Sequence, residues 1–487
     1  MYQPAISVLL GCVCAGVASP PVPSQAEPFD DFVNRWNAWT ETIPENQRAG
    51  DAMVSVIESI RAEAYQFDEL WNQRGYNPGD VLSEAFPWNE FWKHAPEIFE
   101  KYRPELDQLH ELAQRPYLAG KIAPDPLSIQ DEHLPDALIQ EYSLKYVSPL
   151  RSAAGYLRGH AAYLAFTGHQ EEAYQRLLSV AQLSKHAMET PSSLSWASAA
   201  GVSIGFQTSI IEMLSYDPDL FRDEHLAGFQ AMIIEQIGTK FADTVSFDQW
   251  VTEETWRKVY LTSQVSAQDQ PLHDHFYKSY DFLQRNFDHY PKSFVTDPRE
   301  GITIKPLEDQ LKLHQLLVDA LEHDLMQDPA TQQSLRFSQL IEDRLSGDDT
   351  HRFFPIISSI INWRMVLGVQ NFYDYIARNN LVILGIYRHR LQTGDWPKTL
   401  DDIDPALLPY STTDFYSGKP LGYRYPRKTP SLWIHGIDRH YEGGLFNIKN
   451  SEIDMMTWFS IEEWNAMSVE EQIEHCGDFK VWDHPSP

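Results

Sequence analysis

The sequence predicts a mainly α fold: an irregular stack of helical hairpins followed by a small α+β module. Three observations carry that prediction. Apolar residues recur at offsets of three and four almost throughout residues 29 to 393, few stretches before residue 410 alternate with period two, and Gly and Pro crowd together after residue 394. A length of 487 residues calls for more than one core, since a domain usually holds roughly 100–200 residues. The expected division is a signal-like segment and linker at 1–28, an all-α hairpin domain at 29–371, an α+β module at 372–458 and a short helical tail at 459–487.

The elements follow in chain order. Phe29, Phe32, Trp36, Trp39 and Ile43 place one aromatic stripe on a first helix, and Pro28 just ahead suits a helix start. Val54, Ile57, Ile60 and Ala64 repeat the spacing in a second helix. Pro78, Pro87, Pro96, Pro104, Pro116, Pro124, Pro126 and Pro135 cut residues 75–135 into short helices and turns. The clearest unit runs from Leu150 to Pro191. Leu157, Ala161 and Leu164 form one helical face, Thr167-Gly168-His169 supplies a turn, and Ala173, Leu177 and Ala181 form the returning face. Small Ala side chains at the contact let two antiparallel helices approach closely. Further helices are expected at Ser195 to Leu214, His225 to Ile237, Phe247 to Val265, Leu307 to Met326, Ser334 to Leu345 and 355–369, with a polar, loop-like stretch from Asp269 to Pro306. Tyr423-Arg424-Tyr425 and Leu432-Trp433-Ile434 alternate like two short strands. Ser460-Ile461-Glu462-Glu463 and Ser468-Val469-Glu470-Glu471 are capping-box patterns for two short final helices.

Composition bounds the function classes. Hydrophobic residues at 43% and charged residues at 22% are ordinary globular values. Lys+Arg total 39 against Asp+Glu 69, a net charge of −30, which repels phosphate backbones and anionic lipid surfaces alike. No nucleic-acid partner is expected. The three cysteines are Cys12, Cys14 and Cys476, so a processed chain keeps one thiol and holds neither a disulfide framework nor a multi-thiolate zinc site.

The apolar stretch Ala5 to Ala18 is too short to span a bilayer, which needs about 20 residues, and suits the core of an export signal. Nothing basic precedes it. Leu9-Leu10-Gly11-Cys12 also looks like a bacterial lipoprotein box, so a lipid anchor at Cys12 or Cys14 stands beside plain export, and a cytosolic chain beside both. Export to the periplasm or cell envelope is the leading expectation. Elsewhere the most apolar run, Phe353 to Val369, is interrupted by Asn362 and Arg364, which are costly in mid-bilayer, and reads as a buried helix. No membrane span is expected in the mature chain.

Two resemblances add to this reading. The unit at 150–191 resembles a single tetratricopeptide repeat, with Gly168 at the turn and Ala173 packed behind it. No second copy stands at the offset of about 34 residues that such arrays keep, so the stack is degenerate. From Asn380 to Trp458 the chain resembles the globular part of type II secretion major pseudopilins. A helix ending in Tyr387, the exit Thr393-Gly394-Asp395-Trp396-Pro397, the turn Asp414-Phe415-Tyr416-Ser417-Gly418-Lys419-Pro420-Leu421, then His435-Gly436-Ile437-Asp438, Gly443-Gly444 and Asp454-Met455-Met456-Thr457-Trp458 stand in that family's order.

The resemblance implies a calcium site with Asp438 and Asp454 as ligands, joined by main-chain carbonyls. The family's usual Gly after the first aspartate is Arg439 here. Asp374, Arg378, Asn379 and Asn380 in the preceding helix interrupt the long apolar helix that a fibre-forming subunit needs. The whole chain is similar to exported bacterial proteins that join helical hairpins to such a tail, which implies no known activity.

His273-Asp274-His275, with His289 nearby, reads as a polar loop. His314 and His323 fall about 13 Å apart along one helix, too far to share a metal. Gly201-Val202-Ser203-Ile204-Gly205 matches the letters of a nucleophile elbow, but its flanks read as one continuous helix rather than strand, turn, helix. Glu253 and Glu254, between Trp250 and Trp256, form a carboxylate pair among indoles; burial there raises a carboxyl pKa toward general-acid use.

The leading expectation is an exported, non-enzymatic helical-repeat protein, an envelope scaffold or binding module for a protein or peptide. The alternative is an enzyme acting on a cell-surface polymer through Glu253 or Glu254, and a third reading is an accessory of a secretion apparatus.

Overall fold

The computed structural model describes residues 29–66, 78–121, 136–189, 192–237, 244–250, 252–253, 257, 270–271, 303–325, 339–340, 354–414, 418–425, 430–433 and 456–458. Among them the chain is mainly helical. Helix α1 (Phe29–Thr42) buries Phe32, Trp36, Trp39 and Ile43, the predicted stripe. The stripe packs edge-on against Phe247 and Trp250 of the helical residues 244–250, with Phe32 centred 5.8 Å and 5.1 Å from those rings. The buried Trp36 ring N–H donates to the Gly120 carbonyl at 2.9 Å, as an indole in a core requires.

Helix α2 (Gly50–Gln66) buries Ile57 and Ile60 beside Met53 and Val56. The Pro-rich stretch then gives α3 (Pro78–Glu84), a 3₁₀ turn (Glu90–His94), α4 (Ala95–Lys101) and α5 (Arg103–Ala113). Pro78 opens α3, and Pro96 and Pro104 sit in the first turns of α4 and α5, where a missing N–H costs no helical hydrogen bond.

The body is built by α6 (Asp136–Phe166), α7 (Gln170–Ala187), α8 (Ser193–Tyr216) and α9 (Asp223–Ile237). Leu157, Ala161 and Leu164 of α6 and Ala173, Leu177 and Ala181 of α7 are all buried, as the hairpin pattern predicts. Gly168 turns the chain between them at φ +89°, a left-handed conformation that favours glycine. Helix α6 starts earlier than expected. It runs through Pro149, which removes one backbone donor without ending the helix. Helix α8 is capped by the Ser192 hydroxyl, which accepts from the Ser195 amide at 3.1 Å.

Helix α10 (Leu307–Leu325) precedes the long α11 (Phe354–Thr393). The α11 helix passes unbroken across position 371/372 and continues past Tyr387 to Thr393, where the helical periodicity and the exit motif both end. It ends at Gly394, φ +86°, one of the turn residues singled out in the sequence. Its second half packs on α8 and α9, and Leu381, Ile383, Leu384 and Tyr387 belong to the same core cluster as the hairpins. Gln230 of α9 donates to the Leu381 and Leu407 carbonyls, and Arg388 reaches the Asp223 carboxylate at 2.7 Å. The helical body and residues 372–432 therefore share one interior.

The two short strands predicted near residue 423 and residue 432 are present. β3 (Gly422–Arg424) pairs antiparallel with β4 (Ser431–Trp433), which pairs with β5 (Met456–Trp458); β1 (Gln270–Pro271) and β2 (Thr303–Ile304) form a separate antiparallel pair. The turn before β3 closes through the Asp414 amide donating to the Lys419 carbonyl at 2.7 Å, with Gly418 at φ +68°.

A clasp ties the segment after α5 to α7. The Glu189 carboxylate accepts the Leu118 and Ala119 amides and faces the His186 ring, whose other nitrogen meets the Ala113 carbonyl at 3.2 Å. Ala119 is held at φ +45°, a conformation that costs a non-glycine residue about 1–2 kcal/mol and persists only where its surroundings fix it. Among the described residues no helix is long and apolar enough to cross a membrane.

Candidate functional site

Glu253 is the one residue of the predicted carboxylate pair whose surroundings are described; Glu254 and Trp256 lie outside the described residues. The Glu253 carboxylate accepts from the Gln249 amide at 3.0 Å and faces Arg257 at 3.5 Å and the fully buried His314 ring at 3.7 Å. Burial alone raises its pKa. The nearby His314 ring, the hydrogen bond from Gln249 and the positive charge of Arg257 together outweigh that and leave the carboxyl below its ordinary range. Such a group is an anion at neutral pH, fit to accept a proton and unfit to donate one. Trp250 turns away into the α1 cluster rather than walling a cleft over Glu253.

His314 and His323 share α10 as expected, but nine residues is about two and a half turns, so the first is buried and the second exposed on the opposite side. The sites Asp438 and Asp454, the His273-Asp274-His275 group and His289 lie outside the described residues, as does Cys12. Among the described residues no cluster of three or more His, Cys, Asp or Glu side chains is placed to hold a metal.

Ser203 sits in the middle of α8, so its letter match to a nucleophile elbow lies on uninterrupted helix. The Ser203 hydroxyl donates to Gln236 Oε1 at 2.5 Å, accepts from Gln207 Nε2 at 3.0 Å and lies 3.3 Å from the Tyr373 hydroxyl. One proton and two lone pairs are thereby engaged. With no histidine or carboxylate as partner, this oxygen has neither a base nor a free lone pair for attack.

The feature that sequence reading missed is an aromatic ledge where three segments meet. Trp88, from the turn after α3, lies 5.4 Å from Tyr216 at the end of α8 and 6.2 Å from Phe166 at the end of α6. Phe166 and Tyr216 are 5.5 Å apart edge to face, and Trp92 joins Phe166 at 6.1 Å. Phe86 stacks beneath Trp88 at 4.9 Å and is itself buried. The upper rings are not: Trp88, Trp92 and Phe166 are half-buried and Tyr216 is 41% exposed.

Glu212 lies one turn before Tyr216 on the same face of α8, and Arg158 lies about two turns before Phe166 on α6. Burial pushes the Glu212 carboxyl up, with Arg158 pulling it partly back. Large rings that pack on one another yet stay partly exposed have the make-up of aromatic anchors at an interface. No periodicity links these positions. The one available signal was an excess of large rings at helix ends.

Comparison of the chain with protein-family models, with curated proteins and with solved structures gives no match.

Proposed function

We propose that this protein is an exported, non-enzymatic helical scaffold that binds a protein partner on the ledge formed by Trp88, Trp92, Phe166 and Tyr216. The carrying observation is that four partly exposed aromatic side chains from three segments converge at one end of the α6–α8 layer. Aromatic anchors of this kind dominate binding energy at protein interfaces. In this reading the hairpins are a degenerate tetratricopeptide-like stack. The segment from 372 onward is a pseudopilin-like module braced by calcium through Asp438 and Asp454, and residues 1–28 direct export.

The rival reading, an enzyme acting on a surface polymer, draws support from the Glu253–His314 pairing, with Glu253 as a base.

A photo-crosslinking residue placed at Tyr216 in the native host tests the partner. Discrete protein adducts at that position, and none from the exposed Gln175 on α7, are the expected outcome. Equal labelling from both positions, or none, would remove the proposal. The calcium brace has its own test. Titration calorimetry on metal-free chain is expected to show saturable Ca²⁺ binding that Asp438→Ala abolishes.

A further inference from the structure

A pocket of about 110 Å³ opens between α7, α8, α9 and α11, with Ser203 in its wall. Its apolar wall includes Met188, Trp196, Ala199 and Ala200, and its polar end is made by Ser184, Ser203, Gln236 and Tyr373. Lys185 and Glu235 stand at the rim, paired with each other at 2.7 Å. A dry cavity of about 150 Å³ accommodates benzene, so the enclosed part of this pocket fits a head group of a few heavy atoms.

Following each proton shows what that head group must be. Gln236 is fixed in orientation, because one amide atom lies 3.3 Å from the Ala181 carbonyl, and a carbonyl can only accept. Its NH₂ therefore serves Ala181 and, at 2.9 Å, the Ser184 oxygen. The Ser184 hydroxyl donates to the Ala181 carbonyl at 2.9 Å. Ser203 spends its proton on Gln236 Oε1, so Tyr373 is the donor in the contact between the two hydroxyls. Burial holds the Tyr373 phenol well above its ordinary pKa and keeps that proton in place.

Every donor of Ser184, Ser203, Gln236 and Tyr373 is thus engaged. Acceptor capacity remains at this polar end on the Tyr373 hydroxyl, the Ser184 hydroxyl and Gln236 Oε1.

The geometry points to a binding site for a protonated primary amine on a short apolar stem. An ammonium brings three N–H donors and no lone pair, matching the three acceptors of the polar end, whose own donors are spent. An alcohol brings one donor and leaves its own lone pairs unmatched; a carboxylate brings only acceptors. Trp196 lines the same pocket, its ring centred 6.2 Å from that of Tyr373. Glu235 at the mouth offsets the like charge of Lys185, and the net charge of −30 draws cations toward the chain. This site is independent of the aromatic ledge and stands or falls apart from it.

The test is a calorimetric or ligand-observed NMR titration of the full chain with n-butylammonium chloride, 1-butanol and sodium butyrate at one ionic strength. Saturable binding of the ammonium, at least about tenfold tighter than the alcohol, with no binding of butyrate, is expected. Tyr373→Phe removes one of the three acceptors and should weaken the amine about tenfold. Ala200→Leu fills the pocket from its apolar wall and should abolish binding. It serves as the decisive variant should Tyr373→Phe fail to fold. Equal affinity for butanol, preference for butyrate, absence of saturable binding, or full binding in Ala200→Leu would each overturn the assignment.

Discussion

His160 shows how much of the pH response resides in one buried ring. It stacks on Phe99 at 5.5 Å, is almost wholly shielded, and its Nδ1 has no hydrogen-bond partner. Burial first, then the positive charges of Arg176, Arg103 and His110, lowers its pKa from 6.5 to about 3. Between those values the unfolded chain binds a proton that the folded chain refuses. Stability from this group is therefore complete above pH 6.5 and is lost as pH falls toward 3. His110, lowered by burial to about 4, acts in the same direction. Urea titrations from pH 7 to 4 should show stability falling with pH, and His160→Phe, which keeps the ring stack, should flatten that slope. An unchanged slope would refute the assignment. The Glu189 clasp is a second single-residue dependency. Glu189→Ala leaves two amides and the His186 ring without their acceptor and should cost about 2–4 kcal/mol in chemical denaturation. Neither role is visible in the sequence, where His160 is one polar letter on a helix and Glu189 another in the turn just after one.

At the scale of elements, glycine decides how closely helices meet. Gly159 of α6 lies against α3 so tightly that a Cβ there would overlap the Leu82 carbonyl oxygen. That neighbour is backbone and cannot swing aside. Gly159→Ala should therefore destabilise the fold by about 1–3 kcal/mol, as overpacking does. Gly201 of α8 has nothing within 4 Å of its would-be Cβ, so the same change there should stabilise by about 0.5–1 kcal/mol through helix propensity. Thermal melts of the two variants, shifted in opposite directions, would check both. The hairpin from α6 to α7 was legible because periodicity and a turn glycine are local signals. The passage of α6 through Pro149 was not, because packing on neighbouring helices outweighs a local breaker.

For the whole molecule the shared interior makes the expected boundary at 371/372 testable. Leu381, Ile383, Tyr387, Ile403, Leu407, Leu421 and Leu432 belong to the core that the hairpins also fill. Arg390 adds a paired contact to Asp219 at 2.7 Å and 3.1 Å across the same junction. Calorimetric unfolding of residues 29–458 should show these parts melting together, and a chain ended at residue 371 should lose cooperative unfolding. Two separate transitions, with the shorter chain keeping its own, would contradict this. By itself the sequence determined the helical class, the first aromatic stripe, the central hairpin and the two strands around residues 423 and 432, since each follows from the spacing of neighbouring side chains. Only the tertiary structure decided that Trp88, Phe166 and Tyr216 form one ledge and that Ser203 meets Tyr373, 170 residues away. Such meetings depend on how helices are laid over one another, and no local period encodes that.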